Sequence, residues 1–469
     1  MRENLTESMV QIVGRANVSD RLVDRVCYSR DCGPDLAGIP AVVVRPSTTE
    51  EVSAVLRWAN EHGHALYTRG RATTFLGSGV KEGVILLETT RMNRIKRIDT
   101  TAGYVDVEAG AIWHGIDADL RRVGWELAVP GGGGLFSCTI GGTVAVNAIP
   151  HGATEYGMTG DHVLALEVVL ANGDVVRTGS WANPASEPIE RNANGPDFAG
   201  LFIGSYGILG VITRVVYRIR RAPEAELFRF YAFDDYHDLV AAAGGIQGRG
   251  AATFLVGLFG GPKPDGEEGD AFLHVIVRDR DATAEARAHE AEAIAESHGG
   301  RPRPAEGTRH YWQEHMYSWL RNTGPSAYYS DRPFFCPEVA GFVSTRGLVD
   351  AVALFRTLKA EREAEFEQYG IRVKGVDAYF ARNGAYLWID TLYDERRKDA
   401  WEYGMRLRGE IAERMFTEGR MSPGGLGAGI SPHIFPKLGT TNELLRATKC
   451  MLDPKGILNP GLLVEEVAR

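Results

Sequence analysis

The sequence predicts an α+β protein in two parts, and three observations carry that prediction. A strand–helix–strand opening runs into a glycine-rich loop, and an Asn-Gly hairpin with an alternating strand follows. Composition then shifts near Pro223 toward strands and long amphipathic helices. In order, residues 40–45 are β-branched and read as a strand. Thr48 and Glu51 have the spacing of a capping box, with Val52, Val55, Leu56 and Ala59 on one helical face until Gly63. Residues 65–68, 84–87 and 105–108 read as strands and 112–123 as a helix. The segments 164–170 and 175–178 pair across Asn172-Gly173, a dipeptide suited to a type I′ turn. Residues 211–219 alternate as a strand, 349–369 form the clearest helix of the second part, and 442–451 a last helix.

The chain has 469 residues and a formal net charge of -9, a balance that disfavours nucleic acid or an anionic membrane surface as principal partner. No apolar run reaches the length of a membrane span, and the N-terminus lacks the apolar core of a secretory signal. Five cysteines without a Cys-x-x-Cys pair indicate neither a disulfide framework nor a zinc knuckle. A cytoplasmic protein is expected, with a small-molecule substrate, no membrane insertion, no metal, and a homodimer compatible with the sequence.

Three glycine-rich stretches carry the chemistry. Residues 69–79 begin Arg69-Gly70-Arg71-Ala72-Thr73-Thr74, where Gly70 permits close backbone approach and successive N–H groups with two hydroxyls can cradle an anion. Alone, that loop fits an ordinary glycine-rich turn equally well. Residues 130–147 hold four consecutive glycines and then Ile140-Gly141-Gly142-Thr143-Val144-Ala145, too apolar for a linker. Residues 204–213 form a third glycine-spaced turn that feeds a strand.

In this order, the capped helix after Arg45-Pro46, the Arg-Gly loop, Ile140-Gly141-Gly142 with Asn147, Tyr156-Gly157, the 201–213 stretch and the closing 452–461 segment resemble the vanillyl-alcohol oxidase and p-cresol methylhydroxylase family. The resemblance implies a PCMH-type FAD-binding fold over 1–223, an antiparallel-sheet-plus-helices cap over 224–438, and a C-terminal segment, 439–469, that returns to the first part. It implies FAD, with the pyrophosphate on the loop opened by Arg69, at Gly70, Arg71, Ala72, Thr73 and Thr74. Pro130, Gly131, Ile140, Gly142 and Asn147 would line the ribityl and flavin side. Gly152, Gly157, Gly210 and Ile212 would support adenine and ribityl, and Asn459 would reach the isoalloxazine.

The implied activity is an FAD-dependent oxidoreductase, either oxidase or dehydrogenase, that removes a hydride from an alcohol-type, aromatic or apolar substrate. A 2-hydroxy-acid dehydrogenase and a non-catalytic FAD-binding subunit are the alternatives. The 2-hydroxy-acid branch carries a histidine-rich motif that residues 376–384 and 424–427 lack. The Tyr-Arg anchor of the phenol branch falls near Pro423-Gly424, and its acidic residue falls near Gly131. Arg71 to Thr73 stand where other members bond histidine to flavin, so the expected FAD is non-covalent, with Tyr386 the alternative link. The catalytic candidates are His433 as base, with Tyr379 and Arg382. Tyr328, Tyr329, Arg321, His151 and Cys138 are also noted, and for every one of these candidates, the first three included, a packed or solvated side chain is the favoured reading.

Overall fold

The structure is a computed structural model that describes residues 5–31, 33, 38–74, 77, 79–127, 137–260, 271–313, 334–335, 338–394, 396–424 and 430–464. Pro130, Gly131, Arg321, Tyr328 and Tyr329 lie outside the described residues.

The opening unit follows the local signals. Thr48 caps the Thr49–His62 helix by accepting the Glu51 N–H, and Gly63 ends it at φ 70°. The box closes one residue early, because Glu51 Oε2 takes the N–H of Ser47 at 2.6 Å. The helix buries Val52, Val55, Leu56 and Ala59. Strands Val42–Val44 and Leu66–Arg69 flank Ile85–Glu88 in parallel, and Val18–Ser19 extends the sheet on the far side. The C-terminal stretch joins this unit: Leu66 N–H bonds the Ile457 carbonyl at 2.7 Å, and Asn459 N–H bonds the Leu66 carbonyl at 2.8 Å.

A second, antiparallel sheet is centred on Val211–Arg221, which pairs with Tyr104–Glu108, Val163–Val169 and Trp125–Leu127. Val163–Val169 and Val175–Arg177 do form a hairpin, but only Gly173 in its turn has positive φ, at 86°. The connection is therefore a turn closed by Gly173 N–H on the Leu170 carbonyl, not type I′. Asn172 is used differently, accepting the Asp174 N–H at 3.0 Å.

The third sheet, nine-stranded and antiparallel, runs from residue 225 to residue 423. Apart from a bulge between Val373 and Gly375, its strands alternate, so one face packs under helices and the other turns toward the first two sheets. Leu255, Val275, Ala378, Phe380 and Leu387 point to the helices, and Phe254, Val256, Ile276, Tyr379 and Tyr386 to the other face. Asp281–Ser297 covers the outer face with a fully buried stripe, Ala284, Ala288, Ala291 and Ala295, whose small side chains allow close approach. The expected 349–369 helix is instead two, Thr345–Glu361 and Glu363–Tyr369, with Arg362 out of helical geometry at φ -113°. Its true start is capped by Ser344, which accepts the Gly347 N–H.

Two joints hold the third sheet to the rest. In the first, the short helix Ala153–Tyr156 plugs onto the sheet where Leu255 pairs with Phe380. Thr154 Oγ1 accepts Leu255 N–H at 3.0 Å and donates to the Phe380 carbonyl at 2.5 Å. Glu155 Oε2 accepts from Thr253 Oγ1 and Arg287 Nη2, each at 2.8 Å. In the second, Arg278 and Glu126, whose side chains are 1% and 0% exposed, make a bidentate pair at 2.8 and 3.2 Å. Arg121 and Arg220 also bond Glu126, at 3.0 and 2.8 Å, and Arg278 reaches Glu226 at 2.8 Å.

Burial pushes the His162 imidazole down to about 4 and the His274 imidazole down to about 3. The unfolded chain takes up those protons near pH 6.5, so stability present above that pH is lost as pH falls through 6.5 toward 4. Each histidine should cost on the order of 3 kcal/mol between pH 6.5 and 4, at ~1.4 kcal/mol per pH unit. Urea midpoints at pH 7 and pH 4.5 check this. A His162→Gln/His274→Gln variant should flatten the dependence, and an unchanged slope would exclude these two groups as its source.

Candidate active site

The segments expected at the cofactor converge. Thr139 caps the Ile140–Ala145 helix through the Gly142 N–H. Gly70 lies so close that a Cβ there would overlap Thr139 Oγ1, and Gly141 is pressed against Ala109. Ala72 holds a left-handed φ of 52°, which curls the loop that Gly70 opens. Ile140 is fully buried, Thr73 and Thr74 are half-buried and Arg71 is exposed. The Arg69 side chain is used elsewhere: it donates to the carbonyls of Tyr28 and Arg30 at 2.9 and 2.8 Å and lies over the Tyr28 ring.

Asn147, at φ 47°, accepts the Gly160 N–H at 2.9 Å, and the 204–210 turn docks behind it through Gly204 N–H to Val144 and Tyr206 N–H to Ala145. Gly152 takes φ 105°. A Cβ on Gly157 would meet the Asp161 carboxylate and one on Gly210 would meet Val168, so both have packing reasons within the chain. Ile212 is buried in the strand that follows. Asn459 at φ 41° has its amide engaged at both ends: Oδ1 accepts Thr68 N–H at 2.9 Å and Nδ2 donates to the Tyr206 carbonyl at 2.6 Å. It therefore ties the tail to the loop strand and the 204–210 turn. Lys449 anchors the same tail, buried with its Nζ on the Ile208 and Leu458 carbonyls and Asp453.

Two residues whose backbone Asn459 bonds carry buried hydroxyls without a hydrogen-bond partner, Thr68 Oγ1 and Tyr206 Oη. Burial pushes the Tyr206 phenol well up, so it stays a donor. An unsatisfied buried hydroxyl on Thr68, two residues before Gly70, fits a polar cofactor at the curled glycine loop. Cys138, raised to about 12 by burial, is a packed thiol and no nucleophile at neutral pH.

The inner face of the third sheet is aromatic. Tyr379 packs edge-on to Trp388 at 4.2 Å between ring centroids, and Tyr386 to Trp388 at 4.8 Å and Phe342 at 4.7 Å. Tyr311 Oη and Tyr379 Oη are hydrogen-bonded at 3.1 Å in a buried pair. Tyr311 stacks on His274, whose Nδ1 faces Thr308 Oγ1 at 2.8 Å. Tyr386 Oη is committed to the Gly424 carbonyl.

The three catalytic candidates are not brought together. Tyr379 is 6% exposed within the aromatic face. Arg382 is exposed and caps the Ala153–Tyr156 helix through the Glu155 and Tyr156 carbonyls at 3.2 and 3.1 Å. His433 is exposed on the Ser431–Ile434 turn of helix, near Glu413, itself paired with Lys437. Conversely His151, given less weight by the sequence, is 1% exposed and rests against Phe254, Trp312 and Tyr379 at 5.2, 5.9 and 5.7 Å between ring centroids. Its one sequence signal is adjacency to the Asn147–Gly152 stretch.

A family described as an FAD binding domain matches residues 40–179. The chain is similar to the glycolate oxidase subunit GlcD of Bacillus subtilis, 31% identical over 225 residues, 48% of this chain and 46% of that one. It thus spans about half the length of curated relatives such as this. A D-lactate dehydrogenase of Archaeoglobus fulgidus is 28% identical over 438 residues, 91% of this chain and 92% of that one. A crystal structure of p-cresol methylhydroxylase with substrate bound superposes with TM-score 0.84 at 19% identity, covering 98% and 96% of the two chains, a likeness of fold. Among the described residues no helix is long and apolar enough to cross a membrane. The loop geometry, the unsatisfied hydroxyls and these matches agree on one conclusion: residues 40–179 carry a PCMH-type FAD-binding domain, the chain has the fold of that solved structure, and its cofactor is FAD.

Proposed function

We propose that the protein is an FAD-dependent oxidoreductase acting on a small, neutral, aromatic or apolar alcohol. The observation that carries this is the aromatic inner face of the third sheet, where Tyr379, Tyr386, Trp388 and Phe342 pack against the FAD-binding part. Arg278 is held by Glu126 and Glu226, and Arg382 lies outside on backbone carbonyls. A carboxylate substrate buried among those four rings would need a charge partner, and these two arginines are already engaged. The names of two relatives, a glycolate oxidase subunit and a D-lactate dehydrogenase, favour the 2-hydroxy-acid alternative.

Bound FAD would supply the two-electron, hydride-accepting chemistry. The chain's part is binding, orientation and proton handling. The backbone of Gly70 to Thr74 and the Thr68 and Tyr206 hydroxyls would hold the phosphates and polar edges of the cofactor, beside Ile140, Gly142 and Asn147. Tyr379, Tyr386, Trp388 and Phe342 would clamp a flat substrate and exclude water, and the Tyr311–Tyr379 hydroxyl pair would orient its oxygen. The 1–223 and 439–469 segments would form the cofactor half and 224–438 the substrate half.

The purified protein should be yellow, and acid precipitation should release the flavin to the supernatant, because the Tyr386 hydroxyl is already engaged with Gly424. Flavin left in the pellet would refute the non-covalent reading. Anaerobic titration with benzylic alcohols, D-lactate and glycolate then tests the substrate class. Bleaching by hydroxy acids alone would move the assignment to the alternative.

A further inference from the structure

We propose that a cavity on the helix-covered side of the third sheet binds a free α-amino acid with an aromatic or branched apolar side chain. The cavity measures about 480 Å³ and opens to solvent. It lies between the helices Thr345–Glu361 and Glu363–Tyr369 and the start of the strand Arg372–Ala381. Its volume is in the usual range for small-molecule sites. Phe355 and Ile371 in its wall belong to the helix side of the sheet, whereas Tyr379 and Tyr386 face the other way. The site is therefore separate from the proposed substrate face, and its occupant does not depend on the oxidoreductase reading.

Two irregularities open this space. The helix pair breaks at Arg362, φ -113°, between the wall residues Lys359 and Glu363. The strand slips register between Val373 and Gly375, and Val373 lines the cavity. A continuous helix on a regular strand would close to interior density, because side chains there interdigitate without voids of this size. The floor is apolar, with Phe355 and Ile371 buried and Phe366 and Val373 half-buried. Recessed apolar surface gains its missing dispersion contacts only from a molecule that enters, so the floor suits an apolar side chain.

The rim carries charges of both signs. Lys359 makes one long contact, from Nζ to the Gly260 carbonyl at 3.4 Å, and no carboxylate among the described residues pairs with it. Glu363, four residues on, likewise has no ion-pair partner among the described residues. At that spacing a continuous helix would let the two side chains pair with each other, and the break at Arg362 leaves both at the cavity. Arg362 itself is taken by Glu410 and Glu365. Arg356, one helical turn before Lys359 and held over the Tyr236 ring at 4.5 Å, adds a second cation to the wall. An α-amino acid matches this set. Its carboxylate meets Lys359 and Arg356, its ammonium meets Glu363, and its side chain covers the floor. A simple carboxylate would leave Glu363 facing an anion, and a simple amine would leave both cations unmatched.

Calorimetric titration of the FAD-loaded protein with L-phenylalanine and L-leucine at neutral pH tests the site. Saturable binding is expected, without bleaching of the flavin. 3-Phenylpropionate lacks the ammonium and phenethylamine lacks the carboxylate, so each should bind about 10-fold more weakly than phenylalanine, as expected for losing a hydrogen bond to a charged group. Lys359→Gln and Glu363→Gln should each weaken phenylalanine binding by a similar factor, and both side chains are exposed, so folding is kept. Val373→Trp should fill the floor and abolish binding, with flavin content and melting showing that the variant is intact. If it does not fold, the two rim variants decide alone. No saturable heat at millimolar phenylalanine or leucine overturns the inference, and so does binding that both rim variants leave unchanged. Flavin bleached by phenylalanine, or 3-phenylpropionate binding as tightly as phenylalanine, overturns it as well. Failure of every alcohol to bleach the flavin bears on the proposed function alone.

Discussion

Glu126→Gln should destabilise the protein by about 3 to 5 kcal/mol, the usual cost of removing one partner from a buried ion pair. Three guanidinium groups converge on this one fully buried carboxylate, and Arg278 is itself 1% exposed. Arg121 and Arg220, with side chains 42% and 23% exposed, can turn to solvent once the charge is gone, but Arg278 cannot. Its other partner, Glu226, contributes one bond from a 39% exposed side chain. The loss therefore falls on the joint between the third sheet and the rest. Urea unfolding measures it, and a change below ~1 kcal/mol would show that the clasp is dispensable. Glu126→Leu combined with Arg278→Met should recover much of the loss, since an apolar pair of similar volume escapes the desolvation penalty.

Gly70→Ala should lower FAD affinity about 100-fold, or ~2.7 kcal/mol, with little effect on overall folding. The new Cβ would overlap Thr139 Oγ1. That oxygen cannot swing away freely, because it caps the Ile140–Ala145 helix through Gly142 N–H. The loop must therefore retreat from the helix, opening the cradle that Ala72 curls around the phosphate position. Flavin retained after desalting, and the Kd from fluorescence on re-addition of FAD, read the effect. Thr139→Ala with Gly70→Ala should restore part of the affinity by removing the obstacle. Full flavin content in the single variant would mean that the close approach at Gly70 does not shape the site.

What the sequence determined by itself was whatever short-range physics decides. The Thr49–His62 helix was legible because Thr48 caps it, Gly63 can take φ 70°, and four apolar residues share one face. The hairpin at Asn172-Gly173 was legible too, though not its turn type, since Asn172 used its side chain on Asp174 rather than a left-handed backbone. The order of three glycine-rich turns was enough to point to FAD. Only the tertiary structure decided which side chains meet across long stretches of chain. Glu126 finds Arg278 because the Trp125–Leu127 strand and the third sheet dock at one particular place. Asn459, expected to face the flavin ring, spends its amide on Thr68 and Tyr206, and His433, expected as base, stands at the surface while His151 is enclosed by three aromatic rings. Periodicity and capping act over a few residues, whereas such contacts depend on sheet register and docking between segments up to several hundred residues apart, and no local pattern encodes them.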